Sequence, residues 1–178
     1  GDPGDIGSIA DWETLPHERL SPRADTVARR MSVFRRLAHP VEGSLLFGPL
    51  KVIAVPVRSL IQPVVRGIQD VEPLVFTAGG QMGLDRAASR LVENAYTRTD
   101  LVMDRGEFAE RGGILDIFPP TAAHPVRIDF FGDDIDSIHA FHASDQRTFG
   151  ENIRQIWAPA CRELQLTESV RRRAEALA

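Results

Sequence analysis

The chain has 178 residues, 43% of them hydrophobic, enough for one ordinary domain or two small ones with a real core. Its 21 basic and 25 acidic residues leave a net charge of −4, which excludes a global positive field drawing it onto DNA or an acidic membrane. No apolar run approaches the ~20 residues of a membrane-spanning helix, the opening GDPGDIGSIADWE lacks an export signal's charged-then-apolar order, and the single cysteine, Cys161, can form neither an internal disulfide nor a Cys-rich metal site, so a cytoplasmic location is expected.

From Asp11 an extended, proline-punctuated lead is expected to enter a helix near Ser21-Pro22, with Val27, Met31, Phe34 and Leu37 recurring at helical spacing. Arg29, Arg30, Arg35 and Arg36 flank that stripe and are expected to form its solvated face. Their rival reading is a phosphate-contacting stripe, which would make the chain a helicase-like nucleic-acid-binding module acting through an arginine-rich helix. KVIAVPVRSLIQPV, from Lys51 to Val64, opens as a strand buried on both faces, and Pro56 breaks it before a short helix, an α/β signature. After an extended piece around Pro73 to Thr77, LDRAASRLVENA is expected to form a helix with Leu84, Ala88, Leu91 and Ala95 on one face.

Beyond Thr99 the pattern changes to closely spaced strands, LVMDRGEF, GGILDIFP, PVRIDFFG and DIDSIHAFH, with turns at Gly112-Gly113, PPTAAHP and Gly132-Asp133, so an antiparallel meander is expected. IRQIWAPACREL returns to an apolar strand, and TESVRRRAEALA starts a helix with Thr167 and Ser169 as candidate caps. The ends read as α/β and residues 66–156 as an inserted antiparallel α+β domain.

No complete ATPase is legible: the one lysine, Lys51, opens an apolar strand, outside any GxxxxGK[ST] loop. Gly79-Gly80-Gln81-Met82-Gly83 lacks a lysine and reads as a loop before a helix rather than a phosphate cradle. No histidine falls in a metal-binding pattern, and no metal is assigned. Asp133, Asp134 and Asp136 read as turn aspartates, with no base or nucleophile nearby in sequence, and no catalytic residue is assigned.

One corner stands out. In RGEFAERGGILDIFPP, Arg105 to Pro120, paired glycines suit a tight reversal, but they do not explain Arg111, placed where a side chain projects from the corner. An arginine there can lay its stem along the sheet and turn its guanidinium outward, free to take a partner's carboxylate. From the residues alone this reading of Arg98 and Arg111 stands level with that of surface salt bridges worth ~0–1 kcal/mol.

The pattern TRTDLVMDRGEFAERGGILDIFPP…PVRIDFFGDDIDSI…SDQRT resembles the second domain shared by the transcription-repair coupling factors (Mfd) and the excision-repair protein UvrB. DWETLP…SP and VIAVPVRSLIQ resemble the Mfd branch. The resemblance implies a fold of class α/β, an incomplete, degenerate P-loop helicase-like domain over residues 1–65 and 157–178, carrying the inserted antiparallel α+β domain over 66–156. It implies that the inserted domain docks UvrA, the damage-recognition ATPase of nucleotide excision repair, and that the fragment is a non-catalytic adaptor without cofactor. The full-length protein would be an ATP-dependent DNA translocase using ATP and magnesium and meeting RNA polymerase and double-stranded DNA through regions outside this chain.

The docking residues it implies are Arg98, Arg111, Asp129, Phe108 and Glu107, with Phe118 read as core. Ala109 stands where UvrB carries the first arginine of an R-x-R, and an alanine there resembles the Mfd branch. The resemblance favours the docking reading of Arg98 and Arg111.

Overall fold

A computed structural model describes residues 6–12, 22–44, 47–165 and 168–176. Ser21 and Thr167, expected at helix entries, lie outside the described residues. The chain is mixed α/β, with three sheets among the described residues. A parallel pair joins β1 (Ile6–Ser8) to β2 (Val52–Ala54). An antiparallel pair joins β3 (Leu74–Thr77) to β10 (Gln155–Ala158). Between them in sequence runs a six-stranded sheet in chain order, β4 (Thr97–Arg98), β5 (Glu107–Arg111), β6 (Ile114–Ile117), β7 (Val126–Phe131), β8 (Asp134–Phe141) and β9 (Thr148–Phe149).

The meander is therefore present, but with a parallel edge, because β4 runs alongside β5 in the same direction. The strand expected over 101–108 starts only at Glu107. Before it the chain turns through Gly106, whose φ of +85° suits a residue without Cβ, and a Cβ there would meet Cys161 Sγ at 3.1 Å. At the Arg111 corner only Gly112 of the glycine pair takes a positive φ, +60°.

Alternation in β5 to β8 puts Phe108, Leu115, Ile117, Val126, Ile128, Ile135 and Ile138 into one core. Helix α3 (Leu84–Glu93) covers it with Ala87, Ala88 and Leu91, while Leu84 and Ala95 pack at its margin. The glycine-rich loop ahead of α3 is stitched to β8: Gly79 N–H donates to Ile135 O, Met82 N–H to Asp133 O, and Ile135 N–H returns to Gly80 O. The Gly79, Gly80 and Met82 amides are thus engaged by the chain itself.

Helix α1 (Ala24–Ala38) forms where the apolar spacing predicts it, with Asp25 in its first turn and Arg35 and Arg36 in its last, a distribution favourable to the helix dipole. Val27 and Met31 pack on Ile68 and Ala160, with Phe34 and Val71 at the edge, whereas Leu37 is exposed. Ile68 and Val71 thus join α1, while Ala158 and Cys161 join the core of the large sheet, so the two packing units interleave near residues 66 and 157.

Two expectations fail in this part of the chain. The arginines of α1 are not one solvated face. Arg29 is exposed and pairs with Asp25, but Arg30 is 0% exposed and Arg36 is buried, its Nε–H donating to Gly48 O at 2.8 Å. Arg30 Nε–H meets Glu163 Oε1 at 2.6 Å, Nη1–H donates to Ala10 O at 2.7 Å, and Trp12 Nε1–H also reaches Glu163 Oε1. Arginine enters the interior here because a carboxylate and a carbonyl await it.

The apolar run after Lys51 is the second exception. Val52 is 56% exposed, and in the short helix α2 (Val57–Ile61) Val57 and Ile61 are 78% and 80% exposed. Among the described residues β2 pairs with β1 alone, and a two-stranded sheet leaves its apolar side chains uncovered.

Cys161 is buried beside Tyr96, whose hydroxyl donates to Pro159 O. Burial pushes the thiol up to about 12, against the opposing pull of the Tyr96 hydrogen bond and the Arg162 charge. At pH 8 roughly 10⁻⁴ of it is thiolate, so reaction with a disulfide reagent is expected to be orders of magnitude slower in the folded chain than in urea. Because the folded thiol holds its proton more tightly, its share of stability is complete below pH 9 and lost as the pH rises toward about 12, which denaturant midpoints across that window check. The Arg30–Glu163 pair gives a second expectation: either single alanine variant costs ~3–5 kcal/mol by stranding a buried charge, while the double variant costs less than the sum in a urea-unfolding cycle.

Candidate partner-docking site

Register decides which side chains share a face of the large sheet. One row runs Ala109, Asp116, Arg127, His139, and the next runs Arg111, Ile114, Asp129, Ser137. Both lie on the face turned away from α3. At their centre is a charged lattice. Asp116 has no exposed surface, and its carboxylate takes Arg127 Nε–H at 2.7 Å on Oδ1 and Nη2–H at 2.8 Å on Oδ2, a two-pronged pair. Arg111 Nη2–H adds a third bond to Oδ2 at 2.6 Å.

Arg127 also gives Nη1–H to Gln146 O and lies over the Phe141 ring at 5.0 Å. The Asp116 hydrogen bonds raise its pKa further above the ordinary arginine value, with the charges of Asp116 and Asp129 helping and burial opposing. Asp129 accepts Ser137 Oγ–H at 3.0 Å. Below the lattice a small apolar cluster of Val102, Ala109, Phe118 and Phe141 excludes water, and Phe118 is buried as expected, with Arg105 over its ring.

Arg111 and Asp129 thus share one row, with Arg111 held at one end by Asp116. Its side chain is 49% exposed, so the guanidinium is not free, as the sequence suggests, but paired within the chain and still open to solvent. Arg98, in β4, sits beside Phe108 and so shares the α3-facing side with Glu110. Its Nη2–H donates to Glu110 Oε2 at 3.0 Å while 62% of the side chain stays exposed. It too is paired and accessible at the sheet edge.

The other two expected residues build the site from beneath. Phe108 is 0% exposed, its ring wholly within the core, so it fixes β5 instead of touching a partner. Glu107 turns its Oε2 back to accept the N–H groups of Met103 and Asp104, closing the turn ahead of β5. Asp116 and Arg127 escape the sequence reading. Their signal is alternation: each interrupts an apolar strand, Asp116 between Leu115 and Ile117, Arg127 between Val126 and Ile128, and register sets the two opposite each other.

The aspartates at 133, 134 and 136 stay a turn and strand feature, and among the described residues no cluster of His, Cys, Asp and Glu could hold a metal ion. As an arginine-stripe nucleic-acid site α1 fails, since Arg30 and Arg36 are buried. Among the described residues no helix is long and apolar enough to cross a membrane.

The geometry defines a small α+β module: a helix on one face of a sheet and, on the other, a charged lattice that presents one arginine to solvent. Residues 74–161, just under half of the chain, match the family model described as the UvrB interaction domain. The transcription-repair-coupling factor of Mycobacterium tuberculosis is 52% identical over 174 residues, covering 97% of this chain and 14% of the relative. Those of Escherichia coli and Bacillus subtilis are 37% and 35% identical over 147 residues, covering 82% and 83% of this chain. The chain thus spans only 12–14% of these relatives' length.

The lattice separates stability from exposure. Arg127→Ala, which removes the two-pronged partner of a buried carboxylate, is expected to cost ~3 kcal/mol or more, whereas Arg111→Ala costs ~1 kcal/mol or less because half of that side chain is already in water. Urea-unfolding midpoints at pH 7 distinguish the two, and equal losses would contradict the arrangement.

Proposed function

We propose that this chain is the UvrA-recruiting segment of a transcription-repair coupling factor, an adaptor without catalysis of its own that brings UvrA to lesions where RNA polymerase has stalled. The observation that carries this reading is Arg111: a guanidinium pinned at a hairpin corner by a buried carboxylate, half exposed, within a span matching the UvrB interaction domain. A group held in one geometry loses little entropy on pairing with a partner's carboxylate, and arginine is enriched among the residues that dominate interfaces. Arg98 at the sheet edge is the second contact, and Asp129 supplies an acidic position in the row of Arg111.

The proposal extends to the whole protein. Its division follows the sequence: residues 1–65 with 157–178 as a degenerate helicase-like domain, residues 66–156 as the inserted docking domain. The parallel β1–β2 pair, followed by a proline break and α2, supports an α/β ancestry for the first part. The full-length protein is a cytoplasmic, ATP- and magnesium-dependent DNA translocase of nucleotide excision repair that contacts RNA polymerase and double-stranded DNA through other regions. This segment contributes no cofactor site.

The test is a titration of purified UvrA against the wild-type chain and the Arg98→Ala/Arg111→Ala variant, with circular dichroism showing that both fold. Loss of a desolvated arginine contact at an interface of this kind costs ~2 kcal/mol, so affinity is expected to fall about thirtyfold or more. Unchanged affinity in a folded double variant would overturn the proposal.

A further inference from the structure

Away from the lattice, the chain leaving α3 and the segment after β10 enclose an open cleft of about 630 Å³. Three arginines line it, Arg90 from α3, Arg162 after β10 and Arg171 from α4 (Glu168–Glu175), together with Glu93, Asn94 and Thr97. Arg90 lies 3.6 Å from Glu93. Arg162 and Arg171 take no carboxylate partner among the described residues. Three positive charges against one leave the lining at +2.

A second, independent feature points the same way. Asn94 is 6% exposed, and its Nδ2 amide is buried without a hydrogen-bond partner. A buried donor of this kind is costly unless something accepts from it. The end of α3 would ordinarily repel an anion, but three of its carbonyls are engaged: Asn94 N–H donates to Arg90 O, Tyr96 N–H to Leu91 O, and Ala95 N–H to Val92 O. What remains is a concave site rich in donors, guanidinium groups, an amide and the Thr97 hydroxyl, with one acidic side chain already occupied.

The geometry points to a phosphate-binding site in this cleft, with Arg162 and Arg171 as the paired cationic arms and Asn94 as the buried donor. A charge of +2 suits a doubly charged oxyanion better than a lone carboxylate, and guanidinium forks match phosphate oxygens. The volume exceeds one phosphate, so the group arrives as a small phosphorylated molecule or as part of a nucleic-acid backbone. Arg111 and the docking rows contribute nothing to this lining.

Two arms separate those sources. Calorimetric titration with inorganic pyrophosphate is expected to show binding that weakens about tenfold or more in Arg162→Ala/Arg171→Ala and in Asn94→Ala, while Arg66→Ala, an exposed arginine outside the cleft, binds as the wild type does. Anisotropy of labelled 20-nucleotide single strands and duplexes, followed against salt, assigns the backbone if the double variant lowers the log–log slope by about 2, and assigns a small phosphorylated ligand if pyrophosphate alone responds. Absence of binding by every probe to the wild type, or a folded double variant no weaker than Arg66→Ala, would overturn the site.

Discussion

Asp116 sits at the middle of a four-residue strand with no surface in water, and a carboxylate is tolerated in that position only because two guanidinium groups close upon it. The constraint reaches beyond the pair. Asp116 and Arg127 face each other across β6 and β7, and a slip of either strand by one residue would drive the charge into the apolar layer under α3. The lattice therefore specifies strand register with charge, where apolar alternation alone would specify it only by area. It also explains why Arg111 points where it does: its outer half is solvated because its inner half has an acceptor.

A second buried charge performs a different task. Arg30 draws together α1, the carbonyl of Ala10 and Glu163 beyond β10, and Trp12 reaches the same carboxylate oxygen. Three segments far apart in sequence thus share one polar knot, wrapped by the rings of Trp12 and Phe34. The six-stranded sheet is consequently anchored to α1 through its exit segment as well as through the Ile68 and Ala160 contacts.

Much of this architecture is legible in the sequence where local rules suffice. Period-two alternation and turn residues give the strands from Glu107 to Phe141, helical spacing gives α1 and α3, and the position of Arg111 at a glycine corner identifies it as accessible. What local rules miss is everything settled by distant partners. Nothing near Arg30 or Arg36 in sequence announces Glu163 or the Gly48 carbonyl, so both resemble surface arginines until the chain is folded. Phe108 reads as a contact beside Glu107, yet register carries it to the α3 side and into the core. The apolar run after Lys51 reads as interior because composition is blind to how many strands lie alongside.

The pairing of β3 with β10 sets Leu74 beside Ala158, so the polypeptide enters and leaves the unit built on the six-stranded sheet at neighbouring points of a short ribbon. A body whose two ends meet in this way can be spliced into a host without stretching or reorienting the host's own backbone. Its surface can then drift under selection while the surrounding scaffold stays as it was. Such portability gives a physical route by which one folded unit can be carried by different proteins.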